Sequence, residues 1–206
     1  MLNLQAPICA HQEPYRWAVV QDLITPGAAQ RLRDQLPPPQ LLPRARRDAG
    51  GDKTYSMSVL PLLTRSQPLA MLDQVGPAWR ELIQELTASD YRSWVHSVVG
   101  VDVADAQLDI GLFVFGPGDR ISSHTDKVNK YATHVFYLNP VWEETHGGQF
   151  EVRTSADLAD PPYATITPAG GRSVLFPRSE SSWHAVAPVS ERAPEHRLTF
   201  QVEMWS

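Results

Sequence analysis

The spacing of apolar positions changes halfway along the chain. From about Pro68 to Val98 they recur at helical intervals, with a break expected around Gly76-Pro77. Ahead of that stretch, Trp17–Leu23 is short and apolar and reads as a strand. Thr25-Pro26 then opens a helix, because Thr suits the N-cap and Pro fits the first helical position. This helix runs to about Leu36 and stops at Pro37-Pro38-Pro39. Residues 37–54 are rich in Pro, Arg, Gly and Asp and read as a loop, and Tyr55–Leu60 reads as a strand.

The second half is a series of short β-type runs. They are Gln107–Phe115, Arg120–Ser123, Tyr131–Leu138, Gln149–Arg153, Tyr163–Thr167, Arg172–Phe176, Trp183–Ala187 and Arg197–Trp205, with turn residues in most gaps. The last run alternates: Leu198, Phe200, Val202 and Met204 share one face, and Arg197, Thr199, Gln201 and Glu203 the other. Many short strands predict a sandwich or jelly roll. Helices gathered in the first half would pack on one sheet, which makes the expected class α+β.

Composition narrows the function. At 206 residues the chain reads as one domain over 1–206, with a helix-and-strand support at about 1–106 and the strand-rich part at about 107–205. Apolar residues make up 42% and charged residues 20%, which fits a globular chain. A net charge of −5 argues against nucleic-acid and membrane partners, which need a basic face. Cys9 is the only cysteine, so neither a disulfide nor a CxxC zinc site is available. The N-terminal segment lacks a basic n-region and a long apolar stretch, so a cytoplasmic setting is expected.

Candidate chemistry centres on His124-Thr-Asp126, with His184 following 58 residues after Asp126. Two imidazoles and a carboxylate can hold Fe(II) on one face and leave the other open. His124 and Asp126 can point the same way from an extended segment. His184 alone reads as a packing histidine, and Arg197 alone as a solvent-facing charge. Together they suggest a metal beside a planar guanidinium clamp for a carboxylate. Zinc hydrolysis also suits two His and one Asp, but gives Arg197 no role. A cupin would need His at position 126. His134, His146 and His196 are expected to be structural or exposed.

The blocks Phe-Gly-Pro-Gly-Asp before His124, Val-Phe-Tyr137-Leu-Asn139-Pro-Val-Trp142, Gly147-Gly148-Gln-Phe, Phe176-Pro177 and Arg197-Leu-Thr199 carry a resemblance. Over about 107–205 the chain resembles the 2-oxoglutarate- and Fe(II)-dependent dioxygenases, the prolyl-hydroxylase-like branch in particular. The resemblance implies a double-stranded β-helix with His124, Asp126 and His184 as iron ligands. It implies Arg197, Tyr137, Thr199 and Val135 around 2-oxoglutarate. Two departures are visible. Phe115 stands where the branch carries a tyrosine, and the gap from His184 to Arg197 is about four residues longer, to be absorbed by Pro188–Glu195.

The implied reaction is hydroxylation of an unactivated C–H bond with Fe(II), 2-oxoglutarate and O2, and ascorbate as reductant. Asp126 argues against halogenation, for which that position would be Gly or Ala. The expected partner is a small molecule, free or carrier-tethered: an amino acid or natural-product intermediate. A peptidyl prolyl hydroxylase and a catalytically inactive binding barrel are the alternatives. Residues 37–54, 177–183 and Lys127–Lys130 are the expected substrate loops. Arg120, Lys127, Lys130, Arg172 and Arg178 lie near the motifs and favour an anionic or amino-acid-like substrate, though an ordinary charged rim explains them equally well.

Overall fold

The computed structural model describes residues 1–37 and 41–206, so Pro38 and Pro39, where helix termination is expected, lie outside the described residues. The first half supplies β1 (Ile8–His11), β2 (Trp17–Gln21), α1 (Pro26–Asp34), β3 (Arg44–Arg47), β4 (Tyr55–Thr64), β5 (Gln67–Pro68), α2 (Pro77–Thr87) and α3 (Ser89–Val99). The second half supplies β6 (Gln107–Phe115), β7 (Ile121–His124), β8 (Lys130–Tyr137), β9 (Phe150–Val152), β10 (Ala164–Ile166), β11 (Arg172–Pro177), β12 (His184–Val186) and β13 (Arg197–Trp205).

These last eight strands form a jelly roll. One layer runs β11-β8-β13-β6, and the other β7-β12-β9-β10. The first layer is extended by β2 and β1 at one edge and by β4, with β3 and β5, at the other. All pairings are antiparallel, so each strand shows one face to the barrel interior and one outward.

The helices cover the outer face of the larger layer. Trp79, Leu82 and Leu86 of α2 and Tyr91, Val95 and Val98 of α3 share one core with Phe136, Leu175, Phe200, Val202 and Met204. The Trp79 ring lies 5.6 Å from Phe200, and its Nε1–H donates to the carbonyls of Leu32 and Gln35, which ties α1 to α2. A second core between the layers joins Val135, Tyr137, Phe150, Val152, Val174 and Phe176.

Three expectations need correction. Residues 37–54 are not all loop, because Arg44–Arg47 pairs with Tyr55–Ser58 as β3. The helical stretch 68–98 breaks twice: after a 3-10 turn at Ala70–Gln74, and again at Ala88, whose ψ of 157° is extended. There the Thr87 hydroxyl donates to the Ile83 and Gln84 carbonyls and closes off α2. The strand begun at Tyr55 continues through Pro61 to Thr64, because a shift in register between Pro61 and Leu63 accommodates the missing N–H.

His134 joins helix to barrel. It is fully buried on the helix-facing side of β8, with one ring nitrogen 2.9 Å from the Tyr91 hydroxyl and the other 2.9 Å from Ser173 Oγ. Burial pushes its imidazole down to about 3. The folded value lies below the unfolded one, so this stability is complete above about pH 6.5 and is lost as pH falls toward about 3. His134→Gln should flatten that part of the profile. Between pH 6 and 4 the wild type should lose up to about 1.4 kcal/mol more per pH unit than the variant in urea unfolding. Parallel slopes would show that the ring charges without unfolding.

Candidate metal centre

Strand pairing brings the two imidazoles together. β12 runs antiparallel to β7 with His184 directly opposite His124, and the ring centroids are 4.3 Å apart. Asp126 follows two residues beyond His124, past the end of β7. One donor atom from each of His124, Asp126 and His184 lies within 4.8 Å of the other two, and all three residues are buried.

Both rings are held in one tautomer. His124 Nδ1 lies 2.9 Å from the Ser122 carbonyl, and His184 Nδ1 lies 2.9 Å from the Ser182 carbonyl. A carbonyl only accepts, so each Nδ1 carries the proton and each Nε2 keeps its lone pair. Burial lowers both imidazoles, His184 to about 4. On His124 the neighbouring His184 and Lys53 act in the same direction.

Asp126 is gripped on both oxygens. The Lys130 ammonium donates to Oδ1 at 2.9 Å, and the Thr133 hydroxyl donates to Oδ2 at 2.7 Å. Lys130 also reaches Glu203 Oε1 at 2.9 Å, so a buried cation is shared by two carboxylates. Burial alone would raise the Asp126 carboxyl. Lys130 and the imidazoles outweigh it and hold the group well below the usual carboxylate range. Each carboxylate oxygen keeps a second lone pair for a metal. Two Nε2 atoms and one carboxylate, preset by neighbouring hydrogen bonds, suit Fe(II) or zinc.

Arg197 is 1% exposed, so it is no surface charge. Its Nε–H donates to the Gly148 carbonyl at 2.7 Å, and its guanidinium lies 4.7 Å above the Phe115 ring and 5.4 Å from that of Tyr137. Gly148 has a φ of +69°, and a Cβ there would sit 2.8 Å from Arg197 Cδ, so a side chain would push the arginine away. Among the described residues Arg197 Nη1 and the Tyr137 hydroxyl are both buried without a partner in good hydrogen-bond geometry, although the two side chains attract one another. Burial lowers the guanidinium to about 10 and raises the phenol to about 12.

One cavity joins these groups. His124, Asp126, His184, Val135 and Arg197 line it together with Lys53, Thr133, Gln201 and Glu203. Thr199 is buried beside it, but its hydroxyl turns to the Phe113 carbonyl at 3.4 Å. His134 faces the helices, His146 packs edge-on to Trp142 with ring centroids 5.5 Å apart, and His196 is exposed. Lys130, expected on a substrate loop, is instead buried on β8 under Asp126. Lys53 and Thr133 were not singled out by the sequence. The parity of β8 carries the signal for Thr133, which shares a face with Val135 and Tyr137. The longer segment before Arg197 is tied down by the Gly147–Val189 bridge and by Gly118 N–H to the Val189 carbonyl.

Residues 110–205 match the family model described as the 2OG-Fe(II) oxygenase superfamily. No curated protein matches the sequence. Among solved structures the chain is similar to a Pseudomonas putida prolyl-4-hydroxylase, with 18% identity and a TM-score of 0.62 over 92% of this chain and 91% of that one. It is also similar to SnoK, a non-haem α-ketoglutarate-dependent carbocyclase from nogalamycin biosynthesis, with 12% identity and a TM-score of 0.60 over 92% and 79%. A prolyl hydroxylase from Trichoplax adhaerens in complex with a hypoxia-inducible-factor peptide fragment gives 12% identity and a TM-score of 0.56 over 92% and 83%. At these identities the likenesses establish the fold.

The grip on Asp126 generates a stability prediction. Lys130→Met removes the cation between two carboxylates, and breaking a buried pair is worth about 3–5 kcal/mol. Urea unfolding of the metal-free protein should show a loss of that order. A loss below about 1 kcal/mol would mean that Asp126 and Glu203 find other partners.

Proposed function

We propose that this chain, whose residues 110–205 match the family model of the 2OG-Fe(II) oxygenase superfamily, is a member of that superfamily and hydroxylates an unactivated C–H bond of a small molecule, an amino acid or natural-product intermediate. That superfamily uses Fe(II), 2-oxoglutarate and O2. One observation carries the residue assignment: a His-Asp-His donor set and a buried guanidinium with an unpartnered Nη1 line a single cavity.

In this reading the Nε2 atoms of His124 and His184 and the carboxylate of Asp126 hold the iron. Arg197 and Tyr137 receive the far carboxylate of 2-oxoglutarate, each using the donor that has no protein partner. Val135 and Thr199 pack beside it. The bound metal and cosubstrate supply the oxidising power, with 2-oxoglutarate converted to succinate and carbon dioxide. The protein fixes geometry. Lys130 and Thr133 set the Asp126 carboxylate, and the serine carbonyls set the imidazoles. Phe150 and Phe176 flank His184, with ring centroids 5.6 and 4.6 Å away, and keep that side of the site dry. Asp126 at the third position favours hydroxylation over halogenation.

The direct test supplies Fe(II), ascorbate and 2-oxoglutarate and measures succinate with and without candidate substrates. His124→Ala, Asp126→Ala and His184→Ala should each abolish succinate; the two histidine variants should keep the wild-type stability, and Asp126→Ala, which breaks the Lys130 pair, should be assayed below its own unfolding temperature. Comparable turnover in any two of them, with iron still bound, would sink the ligand assignment. Stimulation by prolyl peptides alone would move the reading to a peptidyl hydroxylase.

The clamp has its own test. Arg197→Lys keeps the charge but loses the fork, and should raise the 2-oxoglutarate requirement roughly ten- to a hundredfold. Gly148→Ala, which displaces Arg197 without touching its charge, should raise it too and leave iron affinity unchanged. An unaltered requirement in both variants would put the dicarboxylate elsewhere.

A further inference from the structure

Lys53 reaches the centre from outside the jelly roll. It lies just ahead of β4, where Thr54 N–H donates to Ser122 Oγ and the Thr54 carbonyl accepts from Ser122 N–H, both at 2.9 Å. The same Ser122 orients His124 through its carbonyl. Lys53 is half-buried and lines the cavity, with its ammonium 3.0 Å from His124 Nε2. Among the described residues this is its one hydrogen-bond partner.

That partner is the atom assigned to the metal. A metal-bound Nε2 has no lone pair left to accept a proton, so Lys53 must then find another acceptor. The lone pairs that Asp126 keeps beyond Lys130 and Thr133 are those assigned to the metal, and Glu203 takes Lys130 on Oε1, which leaves Oε2 as the one protein carboxylate oxygen of the cavity that could compete for Lys53. Charge leads to the same place. The two charges of Fe(II) are offset by Asp126 and the near carboxylate of 2-oxoglutarate, and Arg197 is offset by the far one. Lys130 is offset by Glu203. Among the described residues Lys53 then has no carboxylate within ion-pair distance, Asp126, Glu203 and Asp52 acting on it only from farther off, and a half-buried ammonium without a close partner is unfavourable.

We propose that Lys53 is a specificity residue whose ammonium binds a carboxylate on the substrate, so that the substrate class is small carboxylic acids. This rests on the iron and 2-oxoglutarate reading above. The rest of the substrate has a place to lie. Gln201 and Glu203 line both this cavity and an adjoining groove of about 150 Å³ that includes Val59, Pro61, Leu63 and Phe113, so the body beyond the carboxylate is largely apolar.

The experiment uses the full chain loaded with Mn(II), which binds without turnover. Mn(II) and then 2-oxoglutarate are titrated first, into wild type and Lys53→Met. Failure of both to bind wild type would defeat the iron and 2-oxoglutarate reading, and the Lys53 assignment with it. Next, at saturating 2-oxoglutarate so that the cosubstrate position is closed to competing acids, a library of small carboxylic acids and their matching primary amides is titrated. Acids should bind wild type about tenfold to a hundredfold more tightly than their amides, as expected for a charge-assisted hydrogen bond. Lys53→Met should bring the two within about threefold of each other, while Mn(II) binds at least as tightly as before. The proposal is overturned if no acid binds, if amides bind as well as acids, or if Lys53→Met keeps the preference. Loss of 2-oxoglutarate binding in Lys53→Met also overturns it, because the ammonium would then serve the cosubstrate.

Discussion

The register between β7 and β12 is the constraint on which the centre depends. Side chains alternate along a strand, so a slip of one residue would turn His184 from the cavity to the outside. The pairing that sets His184 opposite His124 also holds the smaller layer together, since the other backbone pairing of β7 is a short contact with Thr54 and Tyr55 at the start of β4. The ladder shifts immediately after this pair, between His184 and Val186. The histidine pair is thus the last regular rung before an irregular one. It brings together residues that are sixty positions apart in the chain.

Around that rung, burial and charge work in concert. Low dielectric keeps both imidazoles neutral, which is the form that ligates, and Lys130 keeps Asp126 ionised despite its burial. Metal binding ordinarily has to displace protons from its ligands. Here the three candidate donors are already in the forms a metal would require at neutral pH, and carbonyls and hydroxyls already fix their orientation. The arrangement is demanding, because one buried lysine is shared by two carboxylates, and only Thr133 besides it donates to the side chain of buried Asp126 among the described residues.

Much of this was legible in the sequence because each signal was local. The alternation of Arg197–Trp205 gave the polar and apolar faces of β13, and His-x-Asp followed a readable turn and strand. Thr25-Pro26 marked the start of α1. What escaped was set by tertiary contact. β3 is a run of charged residues with no apolar alternation, and only its partner β4 makes it a strand. The break at Ala88 is announced by Thr87, Ser89 and Asp90, which favour helix ends, but the helical apolar spacing runs through it unchanged. Lys53 sits in a Gly- and Asp-rich segment that looks like solvent-exposed loop, and nothing in its spacing reports that Ser122 draws its neighbour to the metal centre. Lys130 looked like a rim charge because the carboxylates that hold it lie four residues away on the chain and on another strand.

Strand β8 is shared between two cores. Thr133, Val135 and Tyr137 face the cavity and the inner core, while Ala132, His134 and Phe136 face the helices. Consecutive residues of one strand therefore answer to different masters, one chemical and one architectural. A substitution under α3 that tilts β8 by a fraction of an ångström moves the phenol of Tyr137 and the hydroxyl of Thr133 together. Drift in the helices reaches the reaction centre through this strand, whereas the loops at the barrel mouth can diverge without disturbing it. The helical half, which lies outside the matched residues 110–205, in this sense supports the candidate centre: its packing sets how still the three buried side chains are held.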